Sequence, residues 1–206
     1  MLSAHPDDEV LAVGGWLSSQ TGRDVVFVTA TDGEASHPGS PSITPDELRA
    51  RRPGELVRAL DALGFEDPQV RRLELPDGGL ERGSVELQRA LAPHLVDAAL
   101  VLAPFEHDGH PDHDALGRAA RVVADPETTI WQFPVWTWAW TKPGNQRWMS
   151  RVRRLECSST DRHRKRRAIA AFATQVEALG THPSDGPVVD ELLLRHATHA
   201  PEVVIV

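Results

Sequence analysis

The 206-residue sequence contains a single cysteine, Cys157, so no disulfide can form within the chain. It contains no apolar run near the roughly 20 residues that are needed to span a bilayer. No signal peptide is visible in it either. These absences predict a protein without a membrane span, for which the cytoplasm is the simplest location. Cys157 lies in an alternating, strand-like stretch, which favours a packed thiol over a nucleophile.

Basic residues are outnumbered, with 22 Lys and Arg against 30 Asp and Glu and a net charge of −8. This balance gives no reason to expect nucleic acid or an anionic membrane as a partner. The basic run at residues 162–167 is interpreted as the solvated face of a late helix. The sequence also lacks internal repeats and any linker long enough to divide it. We therefore predict a single domain over residues 1–206.

Strand-like and helical segments alternate along the chain. Strands are predicted at residues 24–31, 70–75, 98–103, 129–136, 152–157 and 203–206, the last of them at a sheet edge. Helices are predicted at residues 44–63, 84–91, 114–124 and 160–179. In the first helix Thr44 and Glu47 fit a capping box, and Gly64 fits the residue that ends the helix. The pattern predicts an α/β fold with a mainly parallel, Rossmann-like sheet and helices on both faces.

Two motifs carry the chemistry: His5-Pro6-Asp7-Asp8-Glu9 and, later in the chain, His110-Pro111-Asp112-His113. Two histidines and one carboxylate can hold zinc and leave positions open for water and substrate. A second carboxylate beside the metal can take a proton from water. Because a proline follows His5 and another follows His110, we expect both in loops, unlike the helical HExxH arrangement. Such loops converge at the C-terminal ends of the strands in open α/β folds.

These motifs make the sequence similar to the PIG-L/LmbE family of zinc-dependent N-acetylglucosamine deacetylases. Four further pieces match in order: Thr-Asp-Gly-Glu at residues 31–34, Arg52 with Glu55 in the next helix, Leu-Pro-Asp-Gly at residues 75–78, and residues 165–175. The resemblance spans most of the chain, and the two histidine motifs are its specific part. Phe172 departs from the pattern, because many members carry a histidine there.

The resemblance implies a zinc ligand set that consists of His5, Asp8 and His113. It implies Asp7 as the general base. His110, oriented by Asp112, would stabilise the tetrahedral oxyanion, and Asp112 would raise the pKa of His110 so that the imidazole is charged. The implied activity is the removal of an acetyl group from a small-molecule conjugate of an N-acetyl amino sugar.

The resemblance places Glu34, Arg52 and Asp77 where the family contacts its sugar substrate. All three are hydrogen-bonding groups that suit sugar hydroxyls. A plainer interpretation of Arg52 is a structural pair with Glu55, one helical turn away. Specificity is expected to depend on the loops at residues 36–42, 77–83 and 136–148.

Five of the six tryptophans lie between residues 131 and 148. Trp136, Trp138 and Trp140 alternate, so on a strand they would share one face. Tryptophan faces stack well on sugar rings, but the cluster fits a packing layer or a contact within a homo-oligomer equally well.

Two other classes of function compete with the hydrolase. A catalytically silent metal- or sugar-binding module could use the same fold, but it would be expected to lack Asp7 or a metal ligand. A Rossmann-type nucleotide enzyme is disfavoured because Gly14-Gly15 lacks the GxGxxG spacing.

Overall fold

The computed structural model describes residues 1–81, 83–140 and 147–206. In those ranges the strands are β1 (Leu2–Ser3), β2 (Val26–Thr29), β3 (Gln69–Arg72), β4 (Leu100–Pro104), β5 (Thr129–Phe133), β6 (Val152–Arg154) and β7 (Val203–Ile205). The helices are α1 (Asp8–Ser18), α2 (Pro45–Leu63), α3 (Val85–Leu91), α4 (Pro111–Val123), α5 (Thr137–Trp140), α6 (Ser159–Ile169), α7 (Ala173–Val176) and α8 (Glu191–His199). Short 3-10 turns lie at Ala92–His94, Arg147–Arg151 and Pro183–Asp185.

The strands form two hydrogen-bonded sets. β1, β2 and β3 pair in that order and are parallel. The second set has the order β4-β5-β7-β6, in which β4 and β5 are parallel and β7 is antiparallel to both of its neighbours. β4 also lies against β1, which brings the two sets together. The predicted α/β fold with a mainly parallel sheet is thus confirmed.

Successive strand residues point into two different apolar clusters, as the alternation of a β-strand requires. Phe27 and Leu102 belong to a cluster that also takes in α1, α2 and α6. Val28 and Val101 belong to a second cluster with α3 and α4. The strands are therefore covered by helices on both faces, as predicted from the alternating pattern.

The boundaries of α2 follow directly from its sequence. Thr44 accepts a hydrogen bond from the Glu47 amide, and Glu47 accepts one from the Thr44 amide, so the predicted capping box is present. At the other end Gly64 adopts φ 103°, a left-handed conformation that favours glycine. The helix continues through Pro53.

The predicted helix at residues 160–179 is wrong in its extent. It is two helices, α6 and α7, separated by residues 170–172. Phe172 leaves helical geometry there, and the Thr174 amide donates to Glu55 Oε1 at 3.0 Å instead of continuing the helical ladder. A tertiary hydrogen bond thus overrides the amphipathic pattern. Lys165 is also buried, although it belongs to the basic run that was interpreted as solvated.

The edge position predicted for residues 203–206 is also wrong. Residues 203–206 do not form an edge, because β7 lies between β5 and β6, where Ile205 pairs with both Gln132 and Val152. Trp136, Trp138 and Trp140 do not lie on a strand, because Thr137–Trp140 is helical. The helix places Trp136 and Trp140 one turn apart, and their rings stack at 4.8 Å.

Among the described residues, no helix is both long and apolar enough to cross a membrane. The loop at residues 36–42 is irregular, as predicted. The predicted specificity loops at 77–83 and 136–148 fall partly outside the described residues, at position 82 and positions 141–146.

Candidate metal centre and substrate cleft

The two histidine motifs meet in the folded chain. His5 follows β1, Asp8 begins α1, and His113 lies in the first turn of α4. His113 Nε2 is 3.1 Å from Asp8 Oδ1 and 3.3 Å from His5 Nδ1. The three donor atoms all lie within 4.8 Å of one another. Two imidazole nitrogens and a carboxylate that converge on one point fit a zinc ion with open coordination positions.

Proline sets the local geometry of the second motif. Pro111 occupies the first position of α4, and His110 precedes it in an extended conformation (φ −80°, ψ 128°). The Asp112 amide donates to His110 Nδ1 at 3.2 Å, so His110 caps the helix. His113 therefore points out of the first helical turn towards the loop that carries His5.

The carboxylates around His113 favour positive charge at this position. Burial alone would lower the pKa of His113, but the charge of Asp8 and hydrogen bonds with Asp108 and Asp8 raise it to about 9. Burial opposes ionisation of Asp8 as well, yet His113 and His5 hold the pKa of its carboxyl well below the usual range. The site thus stabilises an ionised carboxylate next to positive charge, as a set of metal ligands does.

Asp108 supports His113 from behind, and no sequence motif had pointed to it. Its Oδ2 accepts from His113 Nδ1 at 2.8 Å and from the Trp136 amide at 2.9 Å. Its Oδ1 accepts from the amides of Val135 and Thr137 and from the Thr137 hydroxyl at 2.6 Å. A carboxylate on the second nitrogen of a metal-ligating histidine fixes the tautomer and orientation of the ring. The only signal in the sequence was its position two residues before His110.

His5 is supported in the same manner by two carboxylates. Its Nε2 lies 3.1 Å from Asp77 Oδ1 and 3.3 Å from Asp112 Oδ2. Asp112 also accepts from the amides of Gly78 and Leu80, at 2.8 and 3.1 Å. Asp112 and Asp77 therefore hold the ring of His5 and the loop after β3 together.

The structure differs from the expectation that the Asp112 carboxylate orients His110 and keeps it charged. That carboxylate faces His5, and only the Asp112 backbone contacts His110 Nδ1. Burial, followed by the charges of His113 and His5, lowers the pKa of His110 to about 4. Burial and two neighbouring histidines thus outweigh the carboxylates of Asp8 and Asp112.

Asp7 lines the same cleft as His5, Asp8 and His110. Burial and the charge of the adjacent Asp8 raise the pKa of Asp7 to about 7. A carboxyl group with a pKa near neutrality can both accept and release a proton, which suits a general base.

The three predicted substrate residues separate into two groups. Arg52 and Asp77 line the cleft, whereas Glu34 lies behind them and accepts from Arg49 Nη2 and from the Asp77 amide. Arg52 is buried and donates to the Gly33 carbonyl and, at 2.8 Å, to Ser36 Oγ.

Arg52 and Glu55, the pair of the plainer interpretation, are linked through a third residue. Arg52 Nε donates to Thr174 Oγ1 at 3.4 Å, and that hydroxyl donates to Glu55 Oε2 at 2.7 Å. The two residues of α2 thus meet through a threonine from α7.

The cleft has a volume of about 280 Å³ and is lined by residues of two kinds. One group comes from the loops after β2 and β3 and from α2 and consists of Gly33, Ala35, Ser36, Arg52, Asp77 and Gly78. The other group is apolar and consists of Leu11, Val135, Trp136, Val188 and Val189. The candidate ligands His5 and Asp8 belong to the same lining, so a substrate would meet both kinds of residue.

An α/β fold that brings two histidines and a carboxylate together beside a buried aspartate fits the class of proteins with an open metal site. A family model described as PIG-L, GlcNAc-PI de-N-acetylase, matches residues 1–124. The chain belongs to this family.

Curated relatives agree with the family assignment. A 1D-myo-inositol 2-acetamido-2-deoxy-alpha-D-glucopyranoside deacetylase from Mycolicibacterium gilvum is 30% identical over 67% of this chain and 57% of its own length. A probable N-acetyl-alpha-D-glucosaminyl L-malate deacetylase 2 from Bacillus anthracis is 35% identical over 61% of this chain and 57% of its own. The chain spans between 28% and 60% of the length of such relatives.

The fold is shared with solved structures. A conserved protein from Thermus thermophilus, TT1542, matches with a TM-score of 0.69 at 23% identity, over 100% of this chain and 92% of that one. This likeness concerns the fold alone.

Proposed function

We propose that this chain is a zinc-dependent amide hydrolase that removes the acetyl group from an N-acetylglucosamine-type amino sugar in a small conjugate. The observation that carries the proposal is the convergence of His5, Asp8 and His113 beside Asp7. The activities named for the relatives support it. We further propose that residues 1–206 form a single domain of this family. Its sheet would be Rossmann-like, with the site at the C-terminal strand ends.

His5, Asp8 and His113 would hold the zinc ion, with Asp77, Asp112 and Asp108 orienting the two imidazoles. When bound, the zinc ion would supply Lewis acidity towards the amide oxygen and the attacking water. The donor set suits zinc because two neutral nitrogens and one carboxylate match its preference for nitrogen and oxygen ligands.

Asp7 accepts a proton from the attacking water in this proposal. It then returns a proton to the amine nitrogen as the carbon–nitrogen bond breaks, so the products are acetate and the free amino sugar. In neutral His110 the nitrogen Nδ1 accepts from the Asp112 amide, which leaves the proton on Nε2. Nε2–H can then donate a hydrogen bond to the developing oxyanion without a formal charge.

Arg52 and Asp77, which both line the cleft, position the sugar in this proposal. The silent binding module is disfavoured because all three candidate ligands are present and close together, and Asp7, His5 and Asp8 line the cleft.

Amine release from an N-acetylglucosamine conjugate, with zinc content measured on the same sample, tests the proposal. Asp7→Asn should retain zinc and lose activity by roughly a hundredfold or more, because the variant lacks a positioned base. His113→Ala should lose most of the zinc. If Asp7→Asn turned over substrate at a near-normal rate, or if His113→Ala kept its zinc, the assigned roles would be wrong.

A further inference from the structure

Gln175 connects the late part of the chain to the loop of the first histidine motif. It lies in the single turn of α7, is 1% exposed, and lines the cleft together with His5, Asp7 and Asp8. Its side-chain nitrogen Nε2 donates to the carbonyl of Pro6 at 2.6 Å. A carbonyl oxygen can only accept a hydrogen bond, so the atom of the carboxamide that faces Pro6 is the donor Nε2 and not the acceptor Oε1.

The Pro6 carbonyl belongs to the peptide group that leads into Asp7. The carbonyls on either side of it have partners nearby in the chain: that of His5 accepts from the amides of Asp7 and Asp8 at 2.9 and 3.4 Å, and that of Asp7 accepts from amides of α1. The Pro6 carbonyl is bound instead by a residue of α7. Because a peptide group is planar, a bond that fixes this carbonyl also fixes the amide of Asp7 and the direction in which the Asp7 side chain leaves the backbone.

Gln175 is itself held in place by its surroundings. Its amide donates to the Phe172 carbonyl at 2.9 Å, and its carbonyl accepts from the Val189 amide at 3.0 Å. The preceding residue, Thr174, donates to Glu55 of α2 from its amide at 3.0 Å and from its hydroxyl at 2.7 Å. A donor whose own position is fixed can hold its acceptor in one geometry, as the support of a catalytic group requires.

We propose that Gln175 is a positioning residue for the general base: by holding the Pro6 carbonyl, it keeps the Asp7 carboxylate directed at the attacking water. The inference rests on the proposed deacetylase function, in which Asp7 is the base. It assigns a part in catalysis to a side chain that acts through the backbone of another residue. A misplacement of about 1 Å in a reacting group can cost on the order of a hundredfold in rate, so one such hydrogen bond can matter for turnover.

The experiment measures kcat, KM and zinc content for Gln175→Met, which keeps the length of the side chain and removes the donor. Amine release is followed with the inositol and malate conjugates of N-acetylglucosamine, the compounds named for the relatives. We expect kcat to fall by roughly tenfold to a hundredfold, because the base is misplaced. KM should change by less than about twofold, and zinc content should equal that of the wild type, because the sugar contacts and the metal ligands are unaltered.

Gln175→Asn gives a second route to the same result. Its carboxamide is one methylene group shorter and does not reach the Pro6 carbonyl, so it should show the same loss of kcat at unchanged zinc content. It carries the test if the methionine variant does not fold.

Gln132→Met is the matched control. Gln132 is also buried, and its Nε2 donates to a backbone carbonyl, that of Gly117 in α4, at 3.1 Å. It is not among the described residues that line the cleft. The same substitution removes the same kind of hydrogen bond there, so it should lower stability without the loss of kcat. An equal loss of kcat in both variants would indicate a general loosening of the fold and would overturn the inference.

A double variant tests whether Gln175 acts through Asp7. If it does, adding Gln175→Met to Asp7→Asn should lower kcat by less than about a further twofold, because residues that act as a unit are not additive. If Gln175 contacted the substrate or only supported the fold, the two losses would multiply, and the inference would be wrong.

The remaining outcomes separate this inference from the proposed function. A near-normal kcat for Gln175→Met, or a loss of its zinc, would overturn the inference and leave the deacetylase proposal intact. If zinc-loaded wild-type chain released amine from neither conjugate, the proposed function itself would fail, and the role of Gln175 with it.

Discussion

Residues 1–124 and residues 125–206 contribute to the cleft in different ways. The first region supplies the candidate ligands His5, Asp8 and His113 from two short segments in which a loop leads into a helix, α1 in one case and α4 in the other. The second region supplies part of the cleft lining from three separate segments, which contain Trp136, Gln175 and Val188. In the first region short motifs set the local geometry of the reacting groups, whereas the second region reaches the site only through tertiary contacts. Substitutions at the contacts between the regions test this division.

The buried ion pair between Lys165 and Glu202 should give the largest effect on stability. Lys165 Nζ donates to Glu202 Oε1 at 2.7 Å, and Glu202 also accepts from the Gly15 and Trp16 amides of α1. Lys165→Met would leave Glu202 buried without its cation. We expect a loss of about 3–5 kcal/mol in the free energy of unfolding, measured by chemical denaturation.

The double variant Lys165→Met/Glu202→Gln is the control for this prediction. It removes both charges and keeps an acceptor for one of the two α1 amides, so it should be more stable than Lys165→Met alone. If the single variant were as stable as the wild type, the C-terminal region would not hold α1 through this pair.

The second prediction concerns the contact between Asp108 and His113, which joins the candidate metal site to the segment that carries Trp136. Asp108→Ala should weaken zinc binding by roughly 10–100-fold, the usual effect of losing a residue that orients a metal ligand. Competition with a chelator would measure it. The rigid environment of Trp136 should loosen at the same time, with a change in tryptophan fluorescence.

Thr137→Val separates the two functions of Asp108. It removes the hydroxyl donor at 2.6 Å but leaves His113 Nδ1 in contact with Oδ2. Zinc affinity should stay close to that of the wild type. A similar loss of affinity in both variants would show that Asp108 stabilises the fold of α5 rather than the orientation of His113.

The chemistry of the first region could be predicted because its determinants are local. Pro6 and Pro111 place His5 and His110 in loops, and a short helical start then orients His113. The capping box and Gly64 likewise define α2 from nearby residues. Side-chain type and short spacing are enough in such cases.

What could not be predicted depends on contacts between distant residues. The Asp112 carboxylate has partners after β1 and after β3, so proximity to His110 in the sequence was a poor guide. The break between α6 and α7 depends on Glu55 of α2. β7 enters the sheet between strands that precede it in the chain. Hydrophobic periodicity carries no information about such partners.

The prediction with the smallest expected effect compares two helix caps of the same kind, one in each region. Thr44 and Glu47 form a capping box at the start of α2, and Ser158 and Asp161 form one at the start of α6. Thr44→Ala and Ser158→Ala should each lower the free energy of unfolding by about 1 kcal/mol, because each leaves one helical amide without its side-chain acceptor. Neither cap lines the cleft, so zinc affinity should not change. Equal losses would show that the second region is as firmly folded as the first and differs only in the range of its contacts. A negligible loss for Ser158→Ala alone would show that α6 opens separately from the rest of the fold, and hydrogen exchange of its amides would then be fast.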